Sequence, residues 1–246
     1  MGGLRVIDLR GKHAIVTGAG SGMGQATSWE LAKAGCRVHI LGRTLAKLQQ
    51  TQAKASNPEL IRPLAVDVAD RSAVVQVIQQ AMADWGTPFL LVNNAGVNIK
   101  QRRVEVLSPE DFDKVVSTNL TGAFNVMHAV IPSMRQARDG VIVTISSIAG
   151  LRPLPLAGAA YAASKYGLNG LMGTVGREVA PEGVRCSIIC PGEVATPILD
   201  ERPVSVTAEQ RAAMLQPEDV AQAVMFIARL HPRAHVQELV LKPLVQ

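Results

Sequence analysis

Tyr161-Ala-Ala-Ser-Lys165, with Ser147 fourteen residues before Tyr161, is the set of side chains best suited to moving a proton. A free phenol titrates near pH ~10, so proton exchange at neutral pH asks for a shift of roughly three units, about 4 kcal/mol in favour of the phenolate. Positions four apart share a helix face, which lets the Lys165 ammonium supply part of that shift. The chain has only two tyrosines, which gives the pairing weight. A tyrosine with a lysine one helical turn on also occurs as a plain surface pair, so the surroundings decide.

Thr17-Gly-Ala-Gly-Ser-Gly-Met-Gly24 follows a β-branched run and precedes a helical pattern. Its glycines let backbone approach a pyrophosphate while helix N–H groups and the helix dipole face the anion. Glycines at 18, 22 and 24 give G-x-x-x-G-x-G rather than G-x-G-x-x-G, and a tight turn is the plain alternative. About twenty residues on, where an NAD site offers an acid to the ribose hydroxyls, the chain has Gly42 followed by Arg43. A guanidinium there suits a 2′-phosphate, so NADP(H) is favoured over NAD(H); the alternative is that Arg43 merely ends a strand in solvent.

Positioning these groups requires a sheet. Short apolar runs at 13–17, 37–41, 62–66, 89–92, 141–145, 184–189 and 236–241 alternate with helical stretches at about 22–34, 44–55, 70–85, 109–137, 158–180 and 217–230. That rhythm predicts an α/β fold: a doubly wound, seven-stranded parallel sheet, Rossmann-like, in a single domain. Ser108-Pro109-Glu110-Asp111 reads as a helix start, and Gly35 and Gly86 as helix stops. Ligands of such sheets bind beyond the carboxyl ends of the strands. The chemical groups cluster there: Gly18 to Gly24, Gly42-Arg43, Asp67, Asn93 to Gly96, Ser146-Ser147 and Pro191-Gly192.

Composition narrows the function. The 246 residues are 48% hydrophobic and only 3% aromatic, which suits a close-packed parallel sheet. Charges interrupt the first ten residues, and nowhere do about eighteen apolar residues run together, so a soluble cytoplasmic protein with no membrane partner is expected. Cys36, Cys186 and Cys190 sit in apolar runs without ligand spacing and are expected to be reduced and buried, with no metal. The net charge of +5 is scattered without aromatic interleaving, which argues against nucleic acid.

Taken together, these residues resemble the short-chain dehydrogenase/reductase family from about Leu9 to Leu241. The T-G-x-x-x-G-x-G of that family is similar to Thr17–Gly24, its adenine-contacting aspartate to Asp67, its N-N-A-G to Asn93–Gly96, and its P-G-x-x-x-T to Pro191–Thr196. The resemblance implies a catalytic set of Asn119, Ser147, Tyr161 and Lys165. It implies cofactor binding by Gly18, Ser21, Gly22, Met23, Gly24, Arg43, Asp67, Val68, Asn94, Ala95, Gly96, Tyr161, Lys165, Pro191, Gly192, Val194 and Thr196. Ser147 is preferred to Ser146 because it stands just before Ile148-Ala149; strand alternation would point the two serines to opposite faces. Asn119 would position a water and relay protons through Lys165, or else is a helix-bending or core-satisfied amide. Thr87-Pro88 and the stretch from Glu238 to Gln246 depart from the family pattern.

The implied activity is hydride transfer between the nicotinamide and a small or medium carbonyl or secondary alcohol, Tyr161 acting as general acid/base. Two alternatives are an NADP-binding sensor or scaffold without catalysis, and an epimerase or dehydratase using the same tyrosine. Val97, Asn98, Leu151 to Pro155, Val194 and Ile198 are expected around the substrate, with residues 198–216 as a short lid. Lys100, Arg102, Arg103, Arg152 and Arg202 are read as solvated surface, with attraction of an acidic substrate as the alternative. The resemblance also implies a homodimer or homotetramer formed through the helices at 109–137 and 158–180.

Overall fold

The computed structural model describes residues 6–244; the first five residues, part of the stretch read for a targeting segment, and Val245 and Gln246 lie outside the described residues. Strands β1 (His13–Thr17), β2 (Arg37–Gly42), β3 (Ile61–Ala65), β4 (Leu90–Asn93), β5 (Gly140–Ile145), β6 (Val184–Pro191) and β7 (Glu238–Leu241) form one parallel sheet. Their order is β3-β2-β1-β4-β5-β6-β7, so the winding reverses between β1 and β4 and opens a crevice at their carboxyl ends.

Helices α1 (Gly22–Lys33), α2 (Leu45–Ala53), α3 (Arg71–Trp85), α4 (Pro109–Val116), α5 (Gly122–Ala137), α6 (Ala159–Val179), α7 (Ala208–Ala213) and α8 (Pro217–Arg229) cover the sheet and its edge. Alternate residues of β1 enter different cores. Ala14 and Val16 pack with Leu31 of α1 and Val220 and Val224 of α8. Ile15 faces the other way, among Val74 and Ile78 of α3, Val126 and Val130 of α5, and Met172 of α6. Burial on both faces is why the strands read as continuous apolar runs rather than alternating ones. Pro63 is tolerated because β3 is an edge strand, paired only with β2.

Helix ends follow side-chain chemistry. Ser108 accepts from Asp111 N–H at the start of α4, and Asp70 accepts from Ala73 N–H at the start of α3. Gly35 and Gly86 take positive φ after α1 and α3, as expected of helix stops. The single helix expected over 109–137 is instead divided by a π-turn at Ser117–Thr121. The extra residue turns Asn119 inward, where its amide bonds the backbone of Val97. β3 and β4 are displaced by one residue from the apolar runs, and β7 begins two residues later than its run, because pairing with a neighbour sets strand ends.

Cys36, Cys186 and Cys190 are free and buried, and burial pushes the thiols of Cys36 and Cys186 up to about 12. Among the described residues, no helix is long and apolar enough to cross a membrane.

Candidate active site

The chain leaves β1 at Thr17 and enters α1 through a turn that only glycine can make at two points. Gly18 holds a φ of +65°, and a Cβ on Gly24 would lie 2.5 Å from Asn94 Nδ2 and 2.6 Å from Gly18 O. Thr17 clasps this turn to the segment after β4: its Oγ1 accepts from the N–H groups of Asn94 and Ala95, each at 3.0 Å. Asn94 returns the contact, donating through Nδ2 to Thr17 O at 3.0 Å and Gly18 O at 3.2 Å. Two motifs far apart in sequence thus form one wall.

A cavity of about 650 Å³ opens over that wall, within the usual range of small-molecule sites. Gly18, Ser21, Gly22, Met23, Arg43, Asn94, Gly96, Tyr161, Lys165 and Thr196 line it. The amino end of α1 is at its rim, and Asn94 Oδ1 is buried there without a protein partner. Arg43 is exposed and makes no ion pair among the described residues. These features fit a dinucleotide: backbone brought close by glycines, a helix end for a pyrophosphate, an amide oxygen in need of a donor and a cation at the rim. Other expected cofactor residues fall elsewhere. Gly24 and Ala95 shape the turn from behind, and Pro191, Gly192 and Val194 line a neighbouring cavity. Asp67 lies outside the wall and accepts from Ala69 N–H, while Val68 is buried in the core against Gly122.

Tyr161 and Lys165 lie one turn apart on α6, as their spacing requires. Lys165 is 4% exposed. Its ammonium donates to Ile145 O at 2.9 Å and lies 5.5 Å from the centroid of the Tyr161 ring. Burial lowers its pKa to about 8. The phenol departs from expectation: burial raises the Tyr161 pKa, and a hydrogen bond with Ser147 and the charge of Arg102 offset this only in part. The Lys165 ammonium is engaged by a strand-end carbonyl, and among the charges that lower the phenol pKa is that of Arg102.

Asn119 is 1% exposed, accepts from Val97 N–H at 2.8 Å and donates to Val97 O at 3.0 Å and Ser164 Oγ at 3.1 Å. Ser164 donates to Tyr161 O, so the π-turn is tied to the stretch of α6 that carries the tyrosine. The two serines follow the end of β5 at Ile145, outside the strand. Both reach the second cavity. Ser146 is engaged with Asn169 at 2.5 Å, whereas Ser147 accepts from Ala149 N–H and lines that cavity with Tyr161.

That second cavity, about 420 Å³, adjoins the first, and Tyr161 lines both. Asn98, Leu154, Pro155, Val194 and Ile198 border it as expected; Leu151 and Pro153 do not, and Val97 lines the first cavity instead. Arg102, read as solvated surface, is 7% exposed and held by backbone carbonyls. Sequence reading also missed Ser164 and Asn169. Both are polar residues within an apolar helix near the tyrosine, a weak signal that only contacts turn into a role.

A family model described as short chain dehydrogenase matches residues 12–205. A 3-oxoacyl-(acyl-carrier-protein) reductase of Thermotoga maritima is 34% identical over 226 residues, 89% of this chain and 91% of that protein. A 3-ketoacyl-(acyl-carrier-protein) reductase from Brucella melitensis, solved with NADH, superimposes with a TM-score of 0.87 at 27% identity, covering 96% of this chain and 98% of that one. A metagenomic short-chain oxidoreductase solved with NADP gives 0.82 at 30% identity, covering 98% and 100%.

Proposed function

The chain belongs to the short-chain dehydrogenase family, and from that premise we propose that it is an NADP(H)-dependent oxidoreductase acting on a small or medium carbonyl or secondary alcohol, with Tyr161 as acid/base. The observation that carries this reading is the position of Tyr161, which lines both the cavity fit for a dinucleotide and the adjoining one that Ser147 shares. The bound nicotinamide supplies or accepts the hydride. The remaining tasks fall to this chain's own side chains.

Tyr161 holds the proton. A phenol whose pKa is raised stays protonated at neutral pH and is ready to donate to an oxygen that gains negative charge, which suits carbonyl reduction. Ser147, beside the phenol, donates to the same oxygen and stabilises its developing charge. Lys165 steadies the site from below the phenol ring and offers a titratable amine with a pKa of about 8 for returning the proton. Asn119 anchors Val97 and, through Ser164, α6. Gly18, Ser21, Gly22, Met23, Asn94, Gly96 and Thr196 would hold the dinucleotide. Arg43, with no acidic neighbour to compete for it in the wall of that cavity except Asp111 and Glu201, would take a 2′-phosphate.

Residues 198–216 act as a lid in this reading, its far end fixed by the bridge between Val194 and Leu215. Assembly as a homodimer or homotetramer uses the helices over 109–137 and 158–180, and in α6 Gly170 and Gly173 leave nothing within 4 Å of a Cβ and so allow close approach. The test is NADPH oxidation with a panel of carbonyl compounds. Tyr161→Phe should lose about 10²–10⁴-fold in kcat while its Kd for NADPH stays within about two-fold. Undiminished turnover in that variant would remove Tyr161 from the mechanism.

A further inference from the structure

Arg102, Arg152 and Arg202 all reach the wall of the cavity that Ser147 and Tyr161 line, and Glu193 is the one carboxylate-bearing residue among its lining. Arg102 is the buried member. Its Nε donates to Ile99 O at 2.7 Å, its Nη1 to Leu156 O at 3.1 Å, and its Nη2 to Glu201 O. Three neutral carbonyls satisfy hydrogen bonds, Glu201 offsets the charge through space without an ion pair among the described residues, and a guanidinium has five N–H groups, so two remain to offer. Arg202 is paired with Glu193 at 2.5 Å. Arg152 is exposed at the cavity wall and makes no ion pair among the described residues.

Joining the loops around residues 99, 156 and 201 needs donors, not net charge, and gives no reason for two more arginines to face the same space. Burying the Arg102 charge is costly unless something negative offsets it, and a cleft with low-dielectric walls concentrates its field. Arg102, Arg152 and Arg202 line the same cavity as Tyr161 and Ser147, and the charge of Arg102 acts on the phenol, lowering its pKa. Leu154, Leu156, Val194 and Ile198 are among the rest of the lining, where Asn98 and Thr196 are polar and none is charged, which suits a short hydrocarbon rather than a second charge.

We propose that the substrate carries a carboxylate bound at this arginine wall while its carbonyl oxygen faces Tyr161 and Ser147: an oxo acid in reduction, the matching hydroxy acid in oxidation. The planar fork of a guanidinium matches a carboxylate with two parallel hydrogen bonds. In reduction, NADPH would supply the hydride that forms the C–H bond at the carbonyl carbon; the C=O π pair moves to oxygen, that oxygen takes the Tyr161 proton, and a proton from solvent restores the phenol. The carboxylate is unchanged and NADPH becomes NADP+.

This inference rests on the oxidoreductase reading, and the test separates the two. The purified full chain is assayed with NADPH against paired oxo acids and their methyl esters, the carbonyl standing one, two or three bonds from the carboxyl carbon. Acids should exceed their esters by roughly ten-fold or more in kcat/KM, mainly through KM, as expected for charge-assisted hydrogen bonds. Arg152→Gln and Arg202→Gln, which leave the three carbonyl bonds of Arg102 in place, should each shrink that acid-to-ester ratio several-fold. Esters that match or outdo the acids overturn the carboxylate and leave the oxidoreductase reading standing, and so does a ratio that both variants leave unmoved. If neither series is reduced by protein that binds NADPH, the oxidoreductase reading falls and takes this inference with it.

Discussion

The ammonium of Lys165 is 4% exposed, donates to one backbone carbonyl and has a pKa lowered by burial from 10.5 to about 8. Because the folded value lies below the unfolded one, the favourable contribution is complete above about pH 10.5 and lost as pH falls through 8. At pH 7 the buried charge therefore destabilises the cofactor-free protein, by up to about 3 kcal/mol. Lys165→Met, an apolar replacement of similar volume, should raise Tm at pH 7 by about 2–4 °C for each kcal/mol recovered, with little gain above pH 10.5. Calorimetry of both proteins decides; a lower Tm in the variant at pH 7 would mean that the ammonium stabilises the fold. Arg102 has the same character, a buried cation without an ion-pair partner among the described residues, and it lines a cavity with Tyr161. Neither burial is visible in the residue type: Lys165 was singled out by its spacing from Tyr161, whereas Arg102 stands in a run of basic residues that reads as surface.

The turn from β1 into α1 works as a unit, and Gly24 lies within the helix that it begins. Alanine at a helical position normally stabilises by about 1 kcal/mol relative to glycine. Here the added Cβ would meet Asn94 Nδ2 and Gly18 O at well under contact distance, and the clasp between the two motifs would have to open. Gly24→Ala should therefore lower Tm by several degrees and weaken NADPH binding by roughly ten-fold or more, measured by thermal melting and fluorescence titration. A variant that melts higher and binds normally would show that helix propensity outweighs packing at this turn. The π-turn teaches a related lesson. Residues 109–137 carry a continuous helical pattern, yet Asn119 finds its partners on Val97 and Ser164, and the helix accommodates an extra residue so that the amide reaches them.

Across the whole molecule, the proposed cofactor would touch the ends of β1, β2, β4 and β5, the loop after β6 and the first two turns of α6, so its binding would stabilise the sheet rather than one loop. A ligand at a hundred times its Kd adds about 2.7 kcal/mol to stability. NADPH should then raise Tm by several degrees, NADH at equal concentration should raise it less, and Arg43→Ala should remove most of the difference. An NADH shift as large as that of NADPH in the parent protein would assign Arg43 to solvent.

What the residues determined on their own follows from periodicity and local chemistry. Apolar runs buried on both faces, caps at Ser108 and Gly86, and glycines where no Cβ fits are short-range properties, so seven parallel strands, their winding and the meeting of Gly18, Tyr161 and Lys165 at one edge were legible before any coordinates. Tertiary structure alone decided which polar groups are buried and what faces them. It brought Arg102, Ser147 and Tyr161 to one cavity, paired Ser146 with Asn169, and broke the helix at Asn119. Charge and hydrogen bonding act through space between segments that sequence separates, and their sign at a given atom depends on desolvation, which no local pattern records.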